Sequence, residues 1–152
     1  MYKHILLPTD GSELSQSAVR SGLLLAKSIG ARVTGIHIMP RPRQDQLDEW
    51  AHHDVHYSER LLIIYRKFAA RYLAFIAENA QQLAVPSACI SVESDEPWAA
   101  ILKVAEEEQC DLIFMASHGW SGTASQLLGS ETLKVLSHAK LPVLVHHSAT
   151  RA

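Results

Sequence analysis

The sequence has few cysteines, few aromatic residues and no large excess of charge of either sign. Two cysteines, Cys89 and Cys110, are too few for a disulfide framework or a cysteine-based zinc site. Fourteen Lys and Arg against 16 Asp and Glu give a formal net charge of −2. Because a protein that binds a phosphate backbone carries a basic excess or a basic stripe, the charge argues against nucleic acid as a partner.

Long hydrophobic runs are absent as well. The longest ones, such as Leu112–Ala116, are far shorter than the roughly 20 residues of a membrane helix, and the N-terminus lacks the features of a signal peptide. With 47% apolar and 20% charged residues the chain has the composition of a globular protein. We therefore expect a cytoplasmic protein with no membrane partner, built as one domain over residues 1–147 with a short tail at 148–152.

Short β-rich runs alternate with longer helical patterns along the chain. The predicted strands cover residues 3–8, 32–39, 88–93, 111–116 and 142–146. The predicted helices cover 12–29 and 55–83, then a third one capped by Asp95 and a short one that ends at His138; the polar stretch 40–54 is predicted to be a loop. This alternation predicts parallel strands joined by right-handed crossovers, hence an α/β fold with a doubly wound five-stranded sheet and helices on both faces.

Helix signals support two of these elements. Ser12 or Asp10 can cap the first helix, and Gly30 can end it. The long helix carries an apolar stripe at helical spacing, which we expect to be buried in the core. Its members are Leu61, Tyr65, Phe68, Tyr72, Ile76, Ala80 and Leu83.

Two loops are candidates for ligand binding, because ligands of open parallel sheets bind beyond the carboxyl ends of the strands. One follows the first strand at residues 9–12, and the other follows the fourth strand at residues 117–132. Gly129 and Ser130 open a helix in the second loop, and the free N–H groups of a helix N-terminus attract anions. Ser130 and Thr132 add hydroxyl donors. The alternative is an ordinary loop closed by a Gly-Ser helix cap.

Two side-chain groups have alternative interpretations. Asp10 follows the first strand and could accept hydrogen bonds from ribose hydroxyls, or it could only cap the first helix. His52 and His56 have the i, i+4 spacing of a metal clamp, but a solvated helix entry is the more ordinary interpretation, and we assign no metal site. The motifs of P-loop NTPases, dinucleotide-binding folds, serine hydrolases and zinc proteases are all missing from the sequence.

Several segments together resemble the universal stress protein family. They are Pro8–Ser12, Asp111–Met115, the loop from Ser117 to Ser130, and Leu141–Val145, and they occur in the family's order along nearly the whole chain. The resemblance implies a parallel sheet in the order 3-2-1-4-5 and a homodimer formed through the last strand, Pro142 to His146. It also implies the branch that binds ATP through the pattern Gly-x2-Gly-x9-Gly-Ser/Thr.

Carried over to this chain, the second and third glycines of that pattern are Gly119 and Gly129. The resemblance implies phosphate contacts at these glycines, ribose near Asp10, and adenine at the backbone of Ile38. The implied nucleotide-binding residues are Pro8, Thr9, Asp10, Ile38, Met115, Ala116, His118, Gly119, Gly129, Ser130, Glu131 and Thr132.

The chain departs from the family pattern at two positions. Ala116 replaces the first glycine, which would cost affinity if the backbone there were left-handed or had to approach the ribose very closely. Glu131 stands where the family commonly has an apolar residue, and its carboxylate would repel a triphosphate unless Mg²⁺ intervened. We therefore expect ATP to bind together with Mg²⁺.

The sequence thus leaves two functions open. The first is an ATP-binding stress-response regulatory protein that acts as a nucleotide-occupancy switch, with little or slow ATP hydrolysis. The alternative is a nucleotide-free dimeric interaction module of the same fold. We assign no catalytic residue, because residues 117–132 contain no Lys or Arg and offer only His118 as a candidate base.

Overall fold

The computed structural model of the chain describes residues 1–120 and 128–147. The strands are β1 (His4–Pro8), β2 (Arg32–Pro40), β3 (Ser87–Ser94), β4 (Leu112–Ala116) and β5 (Val143–His146). The helices are α1 (Glu13–Ile29), α2 (Gln44–His53), α3 (Tyr57–Gln82), α4 (Pro97–Glu107) and α5 (Ser130–His138). The predicted tail at 148–152 and the middle of the glycine-containing loop, 121–127, lie outside the described residues.

The five strands form one parallel sheet in the order β3-β2-β1-β4-β5. This confirms the predicted fold and strand order. β1 is central: Ile5 lies opposite Val33 of β2 on one side and Leu112 of β4 on the other. The strand order reverses between β1 and β4, so the carboxyl ends of these two strands flank the switch point at which open sheets bind ligands.

Two core clusters lie on opposite faces of the sheet, because successive side chains of a strand point to opposite faces. Ile5 and Leu7 pack with α1 and α3, whereas Leu6 packs with α4 and α5. All three side chains are fully buried, and each contributes roughly 1.5–3 kcal/mol of hydrophobic stabilisation. The position of the loop after β1 is therefore fixed by a strand that is buried on both faces.

The prediction of a loop at residues 40–54 is wrong, because α2 occupies most of that segment. Half of its residues are good helix formers, and Arg43 N–H donates to Gln46 Oε1 (3.2 Å) at its start. No residue of α2 is buried. The segment therefore lacks the apolar stripe by which helices are recognised in a sequence.

Two further details differ from the predictions. The cap of α4 is Glu96 and not Asp95, because Pro97 occupies the first helical position. The stripe of α3 is buried at Ile76 and Ala80, but Phe68, nearer the N-terminus, is 42% exposed. No helix in the described part of the chain is long and apolar enough to cross a membrane.

Candidate functional site

The loop after β1 is held by a short network of hydroxyl and backbone groups. Thr9 Oγ1 accepts from Gly11 N–H (3.1 Å), and Ser12 Oγ accepts from Ser15 N–H (3.3 Å) and thereby caps α1, as predicted. Gly11 has a φ of +81°, and a Cβ at this position would lie 2.1 Å from the ring of Tyr72. The turn therefore requires glycine, and the packing of Tyr72 against it fixes where β1 ends and α1 begins.

His37 supports the same loop from β2, a role that the sequence analysis missed. Its Nδ1 lies 2.8 Å from Thr9 O, and because a carbonyl oxygen can only accept, Nδ1 carries the proton. The ring is buried and meets Tyr72 edge-on at 5.2 Å between centroids. His37 therefore holds the main chain of Thr9, the residue that follows β1, in place.

The carboxyl end of β4 is tied to the N-terminus of α5. Gly129 N–H donates to Ser117 O (2.6 Å), and the buried hydroxyl of Thr132 donates to Ala116 O (3.0 Å). Both donors make hydrogen bonds inside the protein and position the helix end. That they contact phosphate remains a prediction.

The substitution of alanine for the first glycine of the family pattern causes no backbone strain. Among the described residues, the only non-glycine residues with positive φ are Ala84 and Gln109. Ala116 belongs to β4, lies opposite His146 of β5, and packs its methyl group into the first core cluster. Backbone strain at Ala116 is therefore no argument against a nucleotide-binding site here.

The N-terminus of α5 has no side-chain cap among the described residues. Gly129 occupies the N-cap position with φ −73° and ψ 162°. The first-turn N–H groups belong to Ser130, Glu131 and Thr132, and they carry a partial positive charge of about half a unit. This helix end therefore offers main-chain donors, together with the exposed Ser130, to an anion.

Glu131 is oriented differently from what its sequence position suggests. Its Oε2 accepts from Trp98 N–H of α4 (2.9 Å), and its Oε1 lies 3.8 Å from Lys134 Nζ. The carboxylate therefore caps the N-terminus of α4. That Glu131 lies beside a bound triphosphate remains a prediction.

Asp10 joins the two loops of the site. Its Oδ1 accepts from Ser12 N–H (2.9 Å), and its Oδ2 accepts from Trp120 N–H (3.1 Å). The indole Nε1–H of Trp120 donates to Asp10 O (2.5 Å). A Cβ on Gly119 would collide with Asp10 Oδ2, so glycine at 119 leaves room for the Asp10 carboxylate. Trp120 is a further site residue that the sequence analysis did not identify.

The remaining predicted residues lie along the same edge of the sheet. Pro8 ends β1, and Ile38 lies near the end of β2. Met115 is buried in the second core cluster, so its side chain underlies the site. His118 Nδ1 interacts with the carbonyl of Gly119 (3.3 Å). The structure therefore places the predicted residues at the carboxyl ends of three adjacent strands and at the start of α5.

The histidine pair at the entry to α3 lies elsewhere. His52 and His56 are exposed, and Nδ1 of His56 lies 3.4 Å from Glu59 Oε2. Within residues 1–120 and 128–147, no group of three or more His, Cys, Asp or Glu side chains is arranged to hold a metal ion.

The structure is that of an α/β protein with an open parallel sheet, whose switch point holds a carboxylate and a helix N-terminus that has no side-chain cap among the described residues. The chain belongs to the universal stress protein family, whose model matches residues 1–147. A universal stress protein of Thermus aquaticus is 32% identical over 145 residues, which cover 95% of this chain and 98% of the relative. The universal stress protein MJ0531 of Methanocaldococcus jannaschii is 28% identical, covering 95% and 82%.

Solved structures share the fold over the whole chain. The structure of MJ0577 superposes with a TM-score of 0.77 at 26% identity and covers 99% of both chains. A universal stress protein solved in complex with cAMP has a TM-score of 0.72 at 22% identity, covering 97% of this chain and 99% of its own. One from Archaeoglobus fulgidus, solved with dAMP, has a TM-score of 0.66 at 18% identity, covering 95% and 98%.

Proposed function

We propose that this protein is an ATP-binding stress-response regulator whose state depends on nucleotide occupancy. The observation that carries the proposal is the N-terminus of α5, which has no side-chain cap among the described residues. The hydrogen bond from Gly129 N–H to Ser117 O ties this helix end to the end of the buried strand β4, across the switch point from Asp10. Two fold neighbours were solved with the adenine nucleotides cAMP and dAMP, which supports a nucleotide as the ligand class.

The contacts follow from the geometry of the site. The N–H groups of Ser130 and Glu131 and the hydroxyl of Ser130 bind phosphate oxygens, because these donors lie at the positive end of the α5 dipole. Asp10 accepts from ribose hydroxyls. The backbone of Ile38 meets the adenine, as the family resemblance implies. Gly119 lets the two loops approach each other.

The charge of the site favours ATP that carries Mg²⁺. Residues 117–132 contain no Lys or Arg, so one helix end faces the phosphates without help from a cationic side chain of this loop. Mg²⁺ held by the phosphate oxygens lowers the negative charge that this helix end must stabilise. Free ATP is therefore expected to bind more weakly than its magnesium complex.

Hydrolysis is slow or absent in this proposal. Phosphoryl transfer needs groups that stabilise charge on the transferred phosphoryl and that orient the attacking water. His118, the only candidate base in the loop, interacts with the carbonyl of Gly119. The signal that this site supplies is therefore the bound nucleotide itself and not its hydrolysis. The nucleotide comes from the ATP pool of the cytoplasm.

We also propose a homodimer formed through β5, which lies at one edge of the sheet. The carbonyl groups of Pro142 and His146 accept from β4, so the alternation of a parallel ladder directs the main-chain groups of Val143 and Val145 outward. Leu144 is 39% exposed beside an apolar hollow of about 360 Å³. An unpaired edge next to apolar surface is suited to pairing with a second copy.

The nucleotide proposal is tested by denaturing the freshly purified protein and identifying any released nucleotide by chromatography, alongside calorimetric titration with MgATP. We expect retained adenine nucleotide, or saturable binding of one MgATP per chain. If neither is observed, the nucleotide-free interaction module becomes the better account of this chain.

A further inference from the structure

Trp120 connects the loop after β4 to the loop after β1. Its indole Nε1–H donates to Asp10 O (2.5 Å), and its main-chain N–H donates to Asp10 Oδ2 (3.1 Å). The residue is nonetheless 66% exposed. Because the Trp120 side chain is not buried, its position is set by the two hydrogen bonds to Asp10.

The effect of these bonds is to fix the Asp10 carboxylate. Ser12 N–H donates to Oδ1 and Trp120 N–H donates to Oδ2. A Cβ at position 119 would collide with Oδ2, so Gly119 leaves room for this oxygen. An ionised carboxylate has about four lone-pair sites, and these two donors use two of them. No other described group donates to this carboxylate, so the free lone pairs of both oxygens are available to a pair of hydroxyl groups.

We propose that Trp120 is a positioning residue that fixes Asp10 to accept both vicinal hydroxyls of a ribonucleotide, so that the site distinguishes ATP from 2′-deoxyATP. The inference rests on the proposed nucleotide-binding function. A 2′-deoxynucleotide leaves one carboxylate lone pair without its donor, and a hydrogen bond to a charged group is worth roughly a ten- to hundredfold difference in affinity.

The contribution of the indole can be separated from that of the main chain. Replacing Trp120 by Phe keeps an aromatic ring and the main-chain N–H but removes the Nε1–H donor that holds Asp10 O. The loop is then anchored by one hydrogen bond instead of two, and Asp10 is less well oriented. The loss should be larger for ATP than for deoxyATP, because ATP donates two hydroxyl groups to this carboxylate and deoxyATP donates one.

The experiment is calorimetric titration of wild type, Trp120→Phe, Asp10→Asn and the control Trp50→Phe with MgATP and Mg-2′-deoxyATP. Trp50 lies on α2, where its ring meets that of Tyr57 edge-on. We expect wild type and Trp50→Phe to prefer ATP at least about tenfold. Trp120→Phe should lose about three- to tenfold in ATP affinity with less than a twofold change for deoxyATP, so that the ratio approaches one, as it also should in Asp10→Asn.

The possible failures are distinct. If wild type binds neither nucleotide, both the proposed function and this inference are overturned. If wild type binds both equally, if Trp120→Phe weakens both equally, or if Asp10→Asn keeps the wild-type ratio, only the positioning role is overturned. Circular dichroism and the melting temperature of each variant establish that the comparison is between folded proteins.

Discussion

At the scale of single residues, the candidate site depends on main-chain donors, and Ser130 is the residue that adds a side chain to them. Ser130→Ala removes one hydroxyl and keeps the N–H groups of the α5 N-terminus. We expect ATP affinity to fall about three- to tenfold, corresponding to roughly 0.5–1.5 kcal/mol. Calorimetric titration measures the change.

The matched control is Ser137→Ala in the same helix. The Ser137 hydroxyl donates to Leu133 O (2.8 Å) at the far end of α5, so its removal should leave ATP affinity unchanged. Equal effects of the two substitutions would contradict the assignment of Ser130 to the phosphates.

Contacts between distant parts of the chain mark the limit of prediction at this scale. Ser12 and Gly30 could be assigned as the caps of α1 because capping is a local signal. The bonds between Asp10 and Trp120 join residues 110 positions apart. Because such a contact follows from the packing of whole strands, the sequence alone could identify Asp10 as a candidate but not its partner.

At the scale of secondary-structure elements, Glu131 links the start of α5 to the start of α4. Glu131→Ala leaves Trp98 N–H without its carboxylate acceptor, and we expect the free energy of unfolding to fall by about 1 kcal/mol. Urea denaturation is the appropriate measurement. The control is Glu107→Ala, because Glu107 only pairs with the exposed Lys103 (3.8 Å), and that loss should stay below about 0.5 kcal/mol. A loss for Glu131→Ala no larger than for the control would contradict the capping role.

The β5 edge gives the second prediction at this scale. Val145→Pro removes an outward main-chain N–H and should convert a dimer into a monomer, as measured by light scattering at micromolar concentration. Ser91→Pro is the matched control at the other edge of the sheet. Pro86 O accepts from Val33 N–H of β2, so the same alternation directs Ser91 outward from β3. A monomeric wild type, or a dimer that only Ser91→Pro dissociates, would contradict pairing through β5.

Elements with strong local patterns could be predicted, and the one without a buried face could not. β4 is a continuous apolar run buried on both faces, which indicates a central strand in the sequence as well as in the structure. α2 buries no residue, so its polar segment resembled a loop. The order of the strands depended on the family resemblance, since alternation of elements predicts parallel pairing but not which strands are neighbours.

At the scale of the whole molecule, two histidines make stability depend on pH. The pKa of His4 is lowered by burial and by the nearby Arg32, and the pKa of His146 is lowered by burial and by His147. Between their native pKa values and the ordinary value of 6.5, the unfolded chain binds protons that the native protein does not. The melting temperature should therefore be highest above about pH 7 and fall as the pH decreases through 6.5.

A pair of variants tests this dependence. His4→Gln should flatten the decline, because it removes one of the two histidines with a lowered pKa, whereas replacing the exposed His53 by Gln should leave the slope unchanged. A melting temperature that is constant between about pH 7.5 and 5.5 would show that these histidines do not contribute.

The most direct test of the central claim is a ¹⁵N–¹H NMR titration of the labelled protein with MgATP. A nucleotide bound across the switch point should produce saturable shifts that are largest at the amides of Asp10, Ile38, Gly119, Ser130 and Glu131. Amides of the last turn of α3, residues 79–82, lie near the starts of β2 and β3 at the opposite edge of the sheet and should not move. The absence of shifts at saturating MgATP, or shifts confined to residues away from the ends of β1, β2 and β4, would contradict the account.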